Sequence, residues 1–101
     1  MTPEGFTKKK VKKVLDDSDR FGHIYHYWPV PSGYGKPSLD CIGCYRGRFF
    51  AIETKAPGQK PTPRQLDCIV EMASASGETF VIDGDTTVLE EWLIHVRDGG
   101  A

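Results

Sequence analysis

The sequence predicts an α/β domain built as one mixed β-sheet covered by helices on both faces. Three observations lead there. Strand-like and helix-like runs follow one another in the order α-β-β-β-α-β-α over 101 residues. The run Phe49-Phe50-Ala51-Ile52 is apolar at both parities, the pattern of a strand buried on both sides. Between two of the strands, Leu66, Ile69, Val70 and Ala73 recur at three and four residues, as in a helix laid on a sheet.

Each element has a local reason. Thr2-Pro3-Glu4 is a helix start, with Thr2 as cap and Pro3 in the first turn. Phe6, Val14 and Leu15 form its thin apolar stripe, with Lys8, Lys9, Lys10, Lys12 and Lys13 turned outward. His23 to Trp28 is rich in aromatics and reads as a strand. Pro29 to Pro37 is a loop inside the domain. Leu39 to Cys44 and Arg48 to Thr54 are strands around Tyr45-Arg46-Gly47. Pro61 to Ser76 is a helix that Gly77 closes. Thr79 to Ile82 is a short strand, and Asp85 or Thr86 caps a last helix carrying Val88, Leu89, Trp92, Leu93 and Val96 on one side. Gly99-Gly100-Ala101 reads as a frayed end. The length fits a single domain, residues 1–101, with a modest core.

Composition excludes several classes. No apolar run approaches membrane-spanning length, and Met1-Thr2-Pro3-Glu4 leads into lysines, unlike a signal peptide. A cytoplasmic protein is expected. Three cysteines without an export signal argue against a disulfide framework. The net charge is −1, but residues 1–64 hold twelve of the thirteen Lys/Arg and six of the fourteen Asp/Glu. A basic first part and an acidic second part result. One face can then attract a polyanion, or the two surfaces can pair with each other.

The hairpin carries the chemistry. If Arg46 and Gly47 form a two-residue turn, Tyr45 faces Arg48, Cys44 faces Phe49, Cys41 faces Ile52, and Asp40 faces Glu53. Directly opposed residues have Cβ atoms roughly 4.5–5.5 Å apart. Lys55 lies two residues beyond Glu53, on the same face. Two carboxylates and an ammonium thus meet at the open end of the hairpin. Like charges so close need a neutralising partner, and hard cations such as Mg²⁺ favour carboxylate oxygens. A lysine beside such a cation orients or helps deprotonate a water, which is what phosphodiester hydrolysis requires. Read alone, Glu-x-Lys is common and more often an incidental pair; the cross-strand Asp40 makes it a candidate site.

The stretch from Lys36 to Pro57, with Leu39-Asp40, Gly47-Arg48-Phe49-Phe50-Ala51-Ile52-Glu53-Thr54-Lys55 and then Pro61-Thr62-Pro63-Arg64-Gln65, resembles the core of the VRR-NUC nucleases of the PD-(D/E)XK superfamily. The resemblance is close from about residue 33 to 83. It implies a restriction-endonuclease-like sheet and a Mg²⁺-dependent DNA endonuclease, with Mn²⁺ able to substitute. It implies metal ligation by Asp40, Glu53, the Thr54 backbone carbonyl and, from the first helix, Glu4. Lys55 would orient water, and Gln65 would lie near the nucleophile or a phosphate. Here Pro37 precedes the Asp by three positions, where the family has it immediately before. Stand-alone members are similar to dimeric junction resolvases. The implied partners are therefore branched DNA, a Holliday junction first, and a second copy of the chain, with Tyr25, Tyr27, Trp28 and Trp92 as apolar interface material. A phage or bacterial origin fits such a small domain.

Remaining residues are read more plainly. Lys36, Arg46, Lys60 and Arg64 flank the expected site and are candidate DNA contacts; the lysines from 8 to 13 are weaker ones. Tyr34, in Ser32-Gly33-Tyr34-Gly35, is a candidate for stacking on a base. Cys41 and Cys44 have zinc or redox spacing, but residues three apart on a strand point to opposite faces, so small core residues are expected. His23, His26 and His95 read as packing or surface residues. Two other functions compete: a non-catalytic nucleic-acid-binding module of the same fold, and a thiol redox protein resting on the cysteines. The intact Asp40, Glu53 and Lys55 disfavour the first, and the second lacks the aromatic and proline surroundings expected of a redox pair.

Overall fold

The computed structural model describes residues 1–30 and 35–100. Tyr34 and its neighbours Ser32 and Gly33 lie outside the described residues, as does Ala101. The elements are α1 (Pro3–Leu15), α2 (Ser18–Phe21), β1 (Tyr25–Tyr27), β2 (Cys41–Tyr45), β3 (Arg48–Thr54), α3 (Pro63–Ser74), β4 (Glu78–Ile82) and α4 (Thr87–Arg97). The four strands form one sheet in the order β1-β2-β3-β4. The β1–β2 and β2–β3 pairs are antiparallel, and the β3–β4 pair, joined through α3, is parallel. This is the mixed α/β class predicted, with the short helix α2 added.

The hairpin register is the one deduced. Cys41 pairs with Ile52, Gly43 with Phe50 and Tyr45 with Arg48. Arg46 and Gly47 take φ of 49° and 82°. Two central residues with positive φ are the signature of a two-residue type I′ turn, whose twist matches that of the strands. Gly43 is required for packing: a Cβ there would lie 2.3 Å from Cζ of Phe50 and 2.5 Å from the Tyr25 carbonyl.

Alternation along the strands gives the sheet two different faces. One carries Cys41, Tyr45, Phe50, Ile52, Phe80 and Ile82, packed with Val11 and Leu15 of α1, Phe21 of α2, and Leu89, Leu93 and Val96 of α4. Tyr45 donates its hydroxyl to the Phe21 carbonyl at 2.5 Å. Trp92 sits edge-on to both Phe50 and Phe80. The other face carries Ile42, Cys44, Phe49, Ala51, Glu53 and Val81, and α3 lies on it. A groove lined in part by Ile42, Phe49, Cys68 and Met72 runs between them.

Several local expectations change. The inward face of α1 consists of Thr7, Val11 and Leu15, while Phe6 is exposed and Val14 only half-buried. The aromatic strand shrinks to three residues, leaving His23 outside it. Phe49 is 40% exposed, so burial on both sides of β3 begins at Phe50. No residue of α3 is buried, and Leu66 and Val70 are 48% and 63% exposed. α3 ends on Ala75 and Ser76, Ser76 taking the left-handed conformation (φ 67°) that Gly77 was expected to supply. Gly77 is needed because a Cβ would press on the Phe49 ring at 2.6 Å. Asp85 accepts from the Thr87 N–H at 2.9 Å at the start of α4. Gly100, expected to be frayed, is tied, since Arg48 donates to its carbonyl at 2.7 Å. Cys41 is a core residue, its thiol pushed up to about 12 by burial, but Cys44 is exposed on the opposite face.

Candidate active site

Three elements meet at the end of the sheet where β2 begins and β3 ends. β3 brings Glu53, the residue just before β2 is Asp40, and the first turn of α1 brings Glu4. One carboxylate oxygen from each lies within 4.8 Å of the others. Hairpin pairing and pleat explain the first two. Glu4 arrives because α1 packs on the core with its N-terminus at this end of β3.

Hydrogen bonds fix the carboxylates. Asp40 Oδ2 accepts from the Thr54 N–H at 2.9 Å and from the Thr54 hydroxyl at 2.8 Å. Glu53 Oε2 accepts from Gln65 Nε2 at 2.8 Å and lies 3.7 Å from Lys55 Nζ. Gln65 stands on the first turn of α3, positioned by a capping box in which Thr62 Oγ1 accepts from the Gln65 N–H and Gln65 Oε1 accepts from the Thr62 N–H.

Glu53 is 2% exposed. Burial first, then the Asp40 charge, push its carboxyl up to about 7, with Lys55 pulling the other way. The site thus gathers more negative charge than its one ammonium balances. The carboxylate oxygens of Glu4, Asp40 and Glu53 lie close enough together that they could hold one metal ion, and donors of this hard kind suit a hard divalent cation better than zinc.

The other predicted residues distribute unevenly. Lys60 lies exposed in the loop leading from the site to α3, and Arg64 is exposed beside Gln65. Arg46 is at the closed end of the hairpin, roughly 20 Å of strand away from Asp40. Lys36 is ion-paired with Glu71 of α3 along the groove. That pair and Arg20–Glu90 (2.5 Å) join the basic first part of the chain to the acidic second part. Within the lysine run, Lys10 donates to the Gly84 carbonyl at 3.2 Å and Lys12 stands over the Trp28 ring. The side chain of Thr54 escaped the sequence reading, which weighed only its carbonyl. A hydroxyl following the Glu at a strand end was the available signal.

No family model matches the chain. It is similar to a protein named "Putative nuclease p44" from Acyrthosiphon pisum secondary endosymbiont phage 1. The two are 28% identical over 72 residues, which span 71% of this chain and 76% of that protein. Among the described residues no helix is long and apolar enough to cross a membrane.

Proposed function

We propose that the protein is a metal-dependent DNA endonuclease of the VRR-NUC kind, hydrolysing phosphodiester bonds at the cluster of Glu4, Asp40 and Glu53. The observation that carries this reading is the convergence of those three carboxylates with Lys55, on the hairpin that resembles the nuclease core. The similarity to a phage protein named as a nuclease supports it.

Asp40, Glu53, Glu4 and the Thr54 carbonyl would hold Mg²⁺, or Mn²⁺ in its place. Such a cation supplies polarisation of the phosphoryl oxygen and a more acidic bound water. The chain does the rest. Thr54 clamps one oxygen of Asp40, and Gln65 clamps one oxygen of Glu53. Lys55 keeps its ammonium at the rim of Glu53, where it orients the attacking water and faces the phosphate charge. Lys60, in the loop after β3, and Arg64, next to Gln65, are exposed and would hold the DNA backbone.

We further read the active form as a homodimer acting on branched DNA. Tyr25, Tyr27, Phe49, Leu66, Val70 and Val81 all remain exposed on the α3 side of the sheet. Apolar surface gathered on one side would suit such an interface. A two-fold pair would present two sites to a two-fold junction.

The deciding experiment is cleavage of a panel of four-way junction, flap, nicked and linear DNA with Mg²⁺, Mn²⁺, Ca²⁺ or a chelator. Cutting is expected with the first two alone and preferentially on the junction. Cutting that survives chelation would overturn the metal reading. Equal cutting of every substrate would leave a nuclease without junction preference. DNA binding without cutting under any condition would favour a non-catalytic module.

A further inference from the structure

We propose that Thr7 is the positioning residue that sets Glu4 and Lys55 against Asp40 and Glu53. The inference rests on the metal-site reading above. Thr7 occupies the buried face of α1, beside the apolar Val11 and Leu15, and is 2% exposed. A polar side chain at such a position needs a partner. Its hydroxyl donates to the carbonyl of Lys55 at 2.9 Å, 48 residues along the chain. The carbonyl of Pro3, in its own helix, lies at 3.4 Å. A hydroxyl has one hydrogen to give, and helical threonines ordinarily spend it on the carbonyl four residues back. Here the shorter bond leaves the helix.

That bond completes the fixing of Lys55. The Lys55 N–H donates to the Ile82 carbonyl at 2.8 Å, carrying the β3–β4 ladder one step beyond the Thr54–Ile82 pair. The Lys55 carbonyl is held by Thr7. With the backbone pinned by the sheet on one side and by α1 on the other, the ammonium has a fixed origin from which to reach Glu53. Glu4 lies three residues before Thr7, on the same face of the helix one turn nearer the site. Val11 and Leu15 are apolar contacts and tolerate a small slide or rotation of the helix. A hydrogen bond is directional and does not. One bond therefore sets the height and rotation of the first turn, and with them the place of the Glu4 carboxylate.

The test compares Thr7→Val, of equal shape without a donor, with Thr7→Ser, which keeps the donor. Mn²⁺ binding to the whole chain is measured by calorimetry without DNA, and cleavage kinetics are measured at saturating Mn²⁺. Thr7→Val is expected to bind Mn²⁺ about ten-fold more weakly and to lose kcat with little change in KM, as when a residue supporting a metal ligand is removed. Thr7→Ser is expected within about two-fold of wild type, and Thr7→Val placed on Glu4→Gln is expected to weaken Mn²⁺ binding by no more than about two-fold further, since the ligand it positions is gone. If Thr7→Val fails to fold by circular dichroism, Thr7→Ala against Thr7→Ser asks the same question: weak binding in the alanine variant alone supports the proposal, and equal binding overturns it. Thr7→Val with wild-type Mn²⁺ affinity and kcat overturns the inference alone. A wild-type chain that binds no Mn²⁺ overturns the metal reading and this inference with it.

Discussion

Gln65 holds Glu53 with one end of its side-chain amide and its own helix with the other. Nε2 donates to Glu53 Oε2 at 2.8 Å, and Oε1 accepts from the Thr62 N–H at 2.9 Å. The two bonds settle which way the amide points, because only its oxygen can accept from a backbone N–H. The start of α3 is thereby locked to the candidate site. The two roles separate by mutation. Thr62→Ala is expected to cost about 1 kcal/mol of stability, as the loss of a helix cap does, with cleavage nearly unchanged below the melting range. Gln65→Ala is expected to cost a similar amount and also to lower cleavage about 10- to 100-fold. Thermal melts and cleavage rates for the two variants check this; equal cleavage by both would show that Gln65 serves only its helix.

Asp40 offers one oxygen to Thr54, and this fixes how each substitution there should behave. Asn keeps an acceptor for the Thr54 N–H but lacks the charge, whereas Ala leaves a buried donor without a partner. Asp40→Asn is therefore expected to fold with near wild-type stability and not to cut DNA. Asp40→Ala is expected to be inactive and to lose about 1–3 kcal/mol. Glu53→Gln and Lys55→Ala are expected to be inactive as well, with DNA binding retained. Denaturant melts, gel-shift and cleavage assays read these out, and a Glu53→Gln protein that cuts at the wild-type rate would remove the site assignment.

At Gly43 the issue is space. A methyl group there would meet the Phe50 ring and the Tyr25 carbonyl, and the latter belongs to the sheet and cannot yield. Gly43→Ala is expected to lose about 2 kcal/mol or more through forced separation of β1 from β2. A denaturant midpoint unchanged from wild type would contradict that packing.

The candidate site was legible in the sequence because strand geometry is nearly digital. Once Arg46-Gly47 is the turn, a period of two puts Asp40 opposite Glu53 and Lys55 on the same side; the structure has the adjoining Cys41–Ile52 pair in that register and brings the two carboxylates together. The same register already places Arg46 at the closed end, so grouping it with residues flanking the site conflicted with the pairing itself. The burial of α3 was not legible. Helical spacing shows that Leu66, Ile69, Val70 and Ala73 share a side, but not whether a second layer covers it. Here Ile69 is half-buried while Leu66 and Val70 face outward. Helix α2 was hidden because four residues are too few to show a period; its sequence trace is Asp17, which caps it by accepting from the Arg20 N–H. Thr7 was invisible for a related reason: its partner is a backbone carbonyl, and no side chain in the sequence announces that.

The exposed apolar side of the sheet leads to a prediction about assembly. Val70 is 63% exposed, so a charge there should cost the folded chain little, yet it stands amid the residues proposed for the interface. At micromolar concentration the wild-type chain is expected to scatter light as about twice its 11.3 kDa mass. Val70→Glu is expected to scatter as the monomer, with an unchanged circular dichroism spectrum. A clean monomer for the wild type would remove the homodimer, and a dimer unaffected by Val70→Glu would move the interface elsewhere.

Glu53 makes the metal-free protein sensitive to pH in a direction opposite to ordinary acid denaturation. Its carboxyl is pushed up from 4.5 to about 7, by burial first and by Asp40 second. Between those two values the folded state binds a proton that the unfolded state has released. Stability from this group is therefore complete below about pH 4.5 and is lost as pH rises through about 7. The size is on the order of 3 kcal/mol, set by the separation of the two values. Other carboxyls act oppositely and lower down: Asp85, held by Thr87, and Glu90, held by Thr86 and Arg20, are both shifted below their usual values. They favour folding above the ordinary carboxylate range and lose that contribution on acidification. In a chelator, the wild-type melting temperature is thus expected to fall between pH 5 and pH 8, and that of Glu53→Gln to stay nearly level. Saturating Mg²⁺ is expected to reverse the wild-type trend, because a cation held by ionised Glu53 stabilises the folded state more as the proton leaves. Parallel pH profiles for wild type and Glu53→Gln, with or without Mg²⁺, would show that Glu53 ionises in the folded protein as it does in the unfolded chain.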